Sequence, residues 1–198
     1  MIMKKHTRTT TVPHRRRREQ RTDYRARLKL LKSNKPRFVV RRGTNGIMCQ
    51  IVEHQKSGDK TLVSIGPAQL TKAGYKGHRA NSPAAYVTGF LCAAEVKKKK
   101  VTDVVLDIGL QSATKGSVLF AALKGAVDGG LAIPHGEQVL PSVDRVTGAH
   151  IAAFAKKLKD NEAAYKKQFG GYEKAGVKPE DLPEHVNTIL KKHGKAKD

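Results

Sequence analysis

The chain contains no tryptophan, only two cysteines, and few aromatic side chains of any kind, 5% of its residues. Any core must therefore be built from aliphatic side chains and alanine, within an apolar content of 38% over 198 residues. That suffices for one ordinary domain with appendages. Cys49 and Cys92 stand far apart with no ligand-spaced neighbours. This excludes a disulfide framework and a Cys-rich zinc site, and it fits a reducing compartment. No apolar run approaches the ~20 residues that span a bilayer. The basic N-terminus is not followed by an apolar stretch, so no secretory signal is expected and the cytoplasm is the default location. The same segment is rich in Arg and Thr and poor in acid, as transit peptides are, but it runs on into a periodic helix and a strand without a break in composition.

Acids are also scarce: 17 Asp+Glu face 39 Lys+Arg, a formal net charge of +22. Such an imbalance opposes compaction and calls for a polyanion, either nucleic acid or an anionic membrane surface. The excess is unevenly placed. Residues 1–42 hold 16 of the 39 basic residues against only Glu19 and Asp23, whereas residues 101–155 hold three against five acids. A near-neutral body thus carries a basic arm at one end and a Lys/Glu-rich tail at the other.

Catalytic signatures are missing as well. There is no G-x-x-x-x-G-K-[ST] loop; Lys115-Gly116-Ser117 lacks the preceding glycine at that spacing, and Gly129-Gly130 reads as a helix stop. No H-x-x-x-H or H-E-x-x-H pair exists among the eight histidines, and no G-x-S-x-G elbow is present. Asp103 and Asp107 flank a strand and form the best candidate for a metal-binding carboxylate pair, but no third acid lies nearby in sequence. No enzyme activity, cofactor, metal or small-molecule substrate is expected.

Read along the chain, Met1–Gln20 is almost devoid of apolar residues and carries the unbroken run Arg15-Arg16-Arg17-Arg18. Its composition predicts disorder for the arm alone. From Thr22, a plausible N-cap position, a short basic helix is predicted, with Tyr24, Leu28 and Leu31 docking on the body and Arg25, Lys29 and Lys32 on another face; Asn34 and Pro36 end it. Three strand-like runs follow, Arg37–Arg42, Ile47–Glu53 and Lys60–Ile65, separated by Gly/Asn- and Gly/Asp-containing turns, a pattern that predicts an antiparallel meander. Leu70–Asn81 reads as an exposed basic loop. Ser82-Pro83 supplies an N-cap and first-turn proline for a helix ending in Lys97–Lys100. Val101–Ile108 is a buried strand, and a helix with Val118, Ala121, Ala122 and Gly125 on one face follows. A further helix stacks Ile151, Phe154, Ala155 and Leu158 and runs on to Gly170-Gly171; a last one stacks Leu182, Val186, Ile189 and Leu190. The expected fold is α/β or α+β: a three-stranded meander, a fourth strand added by a right-handed helical crossover, and helices covering a mixed sheet.

A charge run is ordinarily a solvated face, and the Lys/Glu tail is read that way. The arm differs, because arginine predominates, acids barely compensate, and guanidinium forks match phosphates and stack on bases. The series continues through Arg21, Arg25 and Arg27 to Arg37, Arg41 and Arg42. Arginine-rich segments of this kind favour RNA over DNA, and no zinc finger, bZIP heptad or RNA-recognition motif is present. Charge alone points to a polyanion.

Several strings then converge on one family. They are Thr22-Asp23-Tyr24-Arg25-Ala26-Arg27-Leu28, Lys35-Pro36-Arg37-Phe38-Val39-Val40-Arg41 and Tyr75-Lys76-Gly77-His78-Arg79-Ala80-Asn81-Ser82-Pro83-Ala84-Ala85-Tyr86. Val104-Val105-Leu106-Asp107-Ile108-Gly109, the stretch Phe120–Gly130 and Ile133-Pro134-His135 join them. Together, over roughly residues 15–158, they resemble the archaeal form of the large-subunit ribosomal protein that binds 5S rRNA, counted eighteenth in the bacterial large subunit and fifth in the eukaryotic one. The resemblance implies a non-catalytic constituent of the central protuberance. There it would attach 5S rRNA to the large-subunit rRNA beside neighbouring ribosomal proteins, including the other 5S-binding one. It implies an arm at 1–21, a 5S rRNA-binding domain at 22–158 that includes the first basic helix, and a helical extension at 159–198. The rRNA contacts it implies are Arg15, Arg16, Arg17, Arg18, Arg21, Tyr24, Arg25, Arg27, Lys32, Arg37, Arg41 and Arg42, with a second basic segment at Lys76, His78 and Arg79. Many relatives carry a tryptophan and glycines around that segment, where this chain has Tyr75 and His78-Arg79. The alternatives are a chromatin-like DNA-binding protein and an enzyme using Asp103 and Asp107.

Overall fold

The computed structural model describes residues 12–194; the first eleven residues of the arm and the last four of the tail lie outside the described residues. A four-stranded mixed sheet has the order β3-β2-β1-β4. β1 (Arg37–Arg42), β2 (Ile47–Gln55) and β3 (Gly58–Ile65) form the expected antiparallel meander, and β4 (Val105–Asp107) joins the other edge parallel to β1. Alternation drives this arrangement: Phe38, Val40, Cys49, Ile51, Val63 and Ile65 turn one sheet face into the core. The mixed α/β class expected from the sequence is the one observed.

Among the described residues the helices are α1 (Arg15–Arg18), α2 (Tyr24–Leu31), α3 (Pro67–Lys72), α4 (Ser82–Lys97), α5 (Val118–Asp128), α6 (Val143–Thr147), α7 (Ala149–Leu158), α8 (Glu162–Lys174) and α9 (Leu182–Gly194), with two short 3-10 turns. α4 crosses the sheet to connect the meander to β4, and α5 lies against it. Their contact is backbone on backbone. A Cβ on Gly89 would stand 2.0 Å from the Ala122 carbonyl oxygen, and one on Gly125 would stand 2.0 Å from that of Tyr86. Glycine at both positions is what lets two alanine-rich helices close up and bury Ala84, Ala85, Ala121 and Ala122 completely.

Several expectations change in detail. Asn81, not Ser82, caps α4, its Oδ1 accepting the Ala84 amide at 3.0 Å. Asp23, not Thr22, caps α2, accepting the amides of Arg25 and Ala26 at 2.8 and 3.1 Å. Leu70–Asn81 is not a bare loop: α3, opened by Pro67, takes up its first residues to Lys72, and Leu70 and Tyr75 are each 1% exposed. The strand expected over Val101–Ile108 is shorter, because Asp103 pairs instead with Ala132 in an isolated parallel bridge. The helix expected to run to Gly170-Gly171 breaks after Leu158 and restarts at Glu162 under an Asn161 cap, and Phe154 remains 47% exposed. The Lys/Glu-rich tail is not a polar appendage. Phe169, Tyr172, Leu182, Val186 and Ile189 join the same core cluster as the sheet and α4.

Candidate nucleic-acid interface

The described part of the arm, residues 12–21, is held by local contacts. None of α1 is buried, and Arg15–Arg18 form a single helical turn. Arg16 Nε donates to Thr22 Oγ1 at 2.8 Å, and the rings of His14 and Tyr24 lie 5.4 Å apart, so the turn folds back on the start of α2. Arg15 and Arg21 both approach Glu19, at 3.8 and 3.5 Å, as surface pairs of small energetic weight.

α2 sits on the outer face of the sheet and presents Tyr24, Arg27, Leu30 and Leu31 inward, half-buried; the expected inward residue Leu28 points out, 57% exposed. What ties the helix to the body is a chain of ion pairs. Arg27 Nη2 donates to Asp59 Oδ2 at 2.7 Å, and Arg37 Nη2 donates to the same oxygen at 2.6 Å. Arg37 Nη1 then donates to Asp107 Oδ2 at 2.7 Å, and Arg41 Nη2 to Asp107 Oδ1 at 2.8 Å. Arg41 Nη1 also donates to the Asp107 and Val40 carbonyls, at 2.7 and 2.8 Å. Helix α2, the start of β3, central strand β1 and edge strand β4 are thus joined through alternating charges. Burial pushes the Asp107 carboxyl up, but Arg41, Arg37 and the Gly109 amide outweigh it and hold the group below the ordinary aspartate value. Asp59 behaves alike: burial raises it, while His54, Arg37 and Arg27 together lower it further.

This network floors a cleft of about 600 Å³ between the arm, α2 and β4. Arg16, Arg21, Lys29 and Arg41 line it, with the Ile108–Gln111 turn opposite. Gly109 is required there: its φ is +66°, and a Cβ would meet the Arg41 guanidinium at 2.9 Å. β1 ends beyond the cleft in exposed Arg42 and a turn whose Gly46 closes on Pro67 and on the Arg79 carbonyl, 3.4 Å from where a Cβ would be. The turn that carries Arg42 onward from the cleft therefore abuts the second basic segment, where Lys76, His78 and Arg79 are all exposed.

Of the residues read from the sequence, Arg15–Arg18, Arg21, Arg25, Lys32, Arg42, Lys76, His78 and Arg79 are exposed. Tyr24, Arg27 and Arg41 are half-buried. Arg37 stands apart, 4% exposed, with both its terminal nitrogens on carboxylates. The anchoring acids Asp59 and Asp107 were not singled out for this part; Asp59 read as a turn residue and Asp107 as half of a catalytic pair. The only sequence signal for them is their rarity among so many arginines. Asp103 is exposed on the bridge to Ala132 while Asp107 is buried under two guanidiniums, so the two aspartates do not converge on a shared site. Among the described residues no cluster of His, Cys, Asp and Glu could hold a metal ion, and no helix is long and apolar enough to cross a membrane.

Comparison with known proteins agrees with this picture. The family described as ribosomal large subunit proteins 60S L5 and 50S L18 matches residues 8–105 and, overlapping, 95–136. The chain is also similar to the large ribosomal subunit protein uL18 of Methanococcus maripaludis, 49% identical over 181 residues that cover 91% of this chain and 94% of that relative. A match that runs through the arm, the sheet and the helical crossover, with a relative equally long, settles the resemblance: this chain belongs to the family of large-subunit ribosomal proteins formed by 60S L5 and 50S L18.

Proposed function

We propose that this protein binds 5S rRNA and attaches it to the large-subunit rRNA in the central protuberance, beside the other 5S-binding protein, as a structural and non-catalytic constituent. The observation that carries this reading is a run of neighbouring surfaces on which an arginine arm, a cation-lined cleft, Arg42 and the Lys76–Arg79 segment follow one another. An arm of this kind neutralises phosphates, while the ion-pair chain fixes its direction. In this reading residues 1–21 are the RNA-binding arm, 22–158 the 5S rRNA-binding domain and 159–198 the helical extension. The exposed cations Arg15–Arg18, Arg21, Arg25, Lys32, Arg42, Lys76 and Arg79, with His78, meet RNA directly. Arg27 and Arg41 contact it from the cleft wall, half-buried Tyr24 from the start of α2, and Arg37 acts from beneath by holding its neighbours.

The test is a competition titration of the full chain with 5S rRNA, tRNA and duplex DNA over a range of KCl. Preference for 5S rRNA by at least about tenfold is expected, with log K falling by roughly 0.7–0.9 per neutralised phosphate for each decade of salt. Equal affinity for duplex DNA, or binding indifferent to salt, would refute the reading.

A further inference from the structure

The Lys76–Arg79 segment offers its cations to solvent, but its backbone is held from behind by the two C-terminal helices. At its start, the Lys76 amide donates to His185 Nε2 on α9 at 3.1 Å. Buried Tyr75 lies against the same imidazole, ring centroids 5.8 Å apart. Just past its end, Asn81 Nδ2 donates to the Tyr172 hydroxyl on α8 at 3.1 Å, while Asn81 Oδ1 accepts the Tyr75 hydroxyl at 3.4 Å and caps α4. Between these anchors the segment has no room to move inward. A Cβ on Gly77 would meet the Tyr75 hydroxyl at 2.8 Å and Leu182 Cδ1 at 3.2 Å, and Leu182 is fully buried. The bond to Lys76 needs an unprotonated Nε2, and burial together with Lys76 keeps His185 below the usual histidine value.

Neither Tyr172 nor His185 adds a cation to the exposed segment; His185 bonds to its first residue and Tyr172 to Asn81 just past its end. We propose that Tyr172 and His185 are positioning residues: the C-terminal helices hold Lys76, His78 and Arg79 in the orientation that meets RNA phosphates. This rests on the reading that the protein binds 5S rRNA, and it gives the tail a part in recognition as well as in the core.

The experiment is a double-mutant cycle on full-length protein, with a 5S rRNA transcript as the probe. His185→Ala and Tyr172→Phe are each measured in the native background and in one carrying Lys76→Ala with Arg79→Ala. Tyr172→Phe keeps the packed ring, so it reports even if His185→Ala loosens α9. In the native background each should weaken binding roughly 3- to 10-fold, and in the loop-neutral background neither should weaken it further, because coupled residues are non-additive. His185→Ala should also flatten the salt dependence by roughly 0.7–0.9 per phosphate no longer met, which a mere loss of folded protein does not do. His185→Gln, which restores an acceptor, should recover most of the affinity. Native affinity in both variants, or an equal loss in the two backgrounds, would overturn the positioning role while leaving 5S rRNA binding intact. A parent protein with no preference for 5S rRNA would overturn the functional reading itself.

Discussion

Asp107→Asn tests the ion-pair chain at its most buried link. The Arg37 and Asp107 side chains are only 5% and 8% exposed, so the pair is out of water on both sides. Asparagine keeps the shape and one acceptor but removes the charge that balances Arg37. Stripping one partner from a buried pair costs about 3–5 kcal/mol. Here Arg37 keeps Asp59, and Arg41, 42% exposed, can turn to solvent, so the lower end applies, about 3 kcal/mol. For a chain of this size that lowers Tm by roughly 6–12 °C. The pH dependence has a defined sign. The native Asp107 value lies below the ordinary one, so its contribution is fully present above the unfolded-state pKa of about 3.9 and is lost as pH falls through the depressed native value. Thermal and urea unfolding followed by circular dichroism should show a constant gap between parent and variant at neutral pH that closes in acid. A double change, Arg37→Met with Asp107→Asn, should cost less than the sum of its parts, since no unbalanced guanidinium remains. A variant melting within about 1 °C of the parent at pH 7, or a gap unchanged in acid, would refute the assignment.

Gly125→Ala should destabilise the protein by about 3 kcal/mol, the upper range for overpacking, because its Cβ would lie 2.0 Å from the Tyr86 carbonyl oxygen; chemical denaturation measures it, and a neutral result would mean that α4 and α5 are not in backbone contact. Cys49 and Cys92 are buried, and burial pushes both thiols up, Cys92 to about 12, so neither should react with a disulfide reagent at pH 8 until denaturant is added; prompt modification of the native protein would contradict this core. Replacing Arg15–Arg18 together by alanine should leave stability within about 0.5 kcal/mol, since none of them is buried. The same change should flatten the salt dependence of RNA binding by roughly 3, and a slope unchanged by it would remove the arm from the interface.

The parts of the fold legible in the sequence were those written in local pattern. Alternating apolar residues with Gly/Asn turns gave β1 to β3, and the apolar spacing of Val87, Leu91 and Leu182, Val186, Ile189 gave α4 and α9. What stayed hidden was non-local. Arg37 and Asp107 are 70 positions apart and Arg37 and Asp59 are 22 apart, so nothing in a short window pairs them. The inward face of α2 is hidden from the sequence for the same reason. Leu28 looked like a docking residue by hydropathy, but Arg27 occupies the inward position because a carboxylate waits there. The tail's Lys/Glu content suggests a solvated face, yet a few aromatics at helical spacing, Phe169 and Tyr172 above all, suffice to bind it to the core. Charge made the arm a candidate and the family resemblance added the Lys76–Arg79 segment; only the fold brings that segment against the turn that follows Arg42.

The most direct measurement is ultraviolet cross-linking of the protein in cell extract, followed by sequencing of the attached RNA and mapping of the linked residues. The account predicts 5S rRNA as the main species, with large-subunit rRNA beside it. Cross-links should fall on the arm, the cleft and the Lys76–Arg79 segment. Recovery of tRNA or mRNA without 5S rRNA, or cross-links confined to residues outside these three segments, would contradict it.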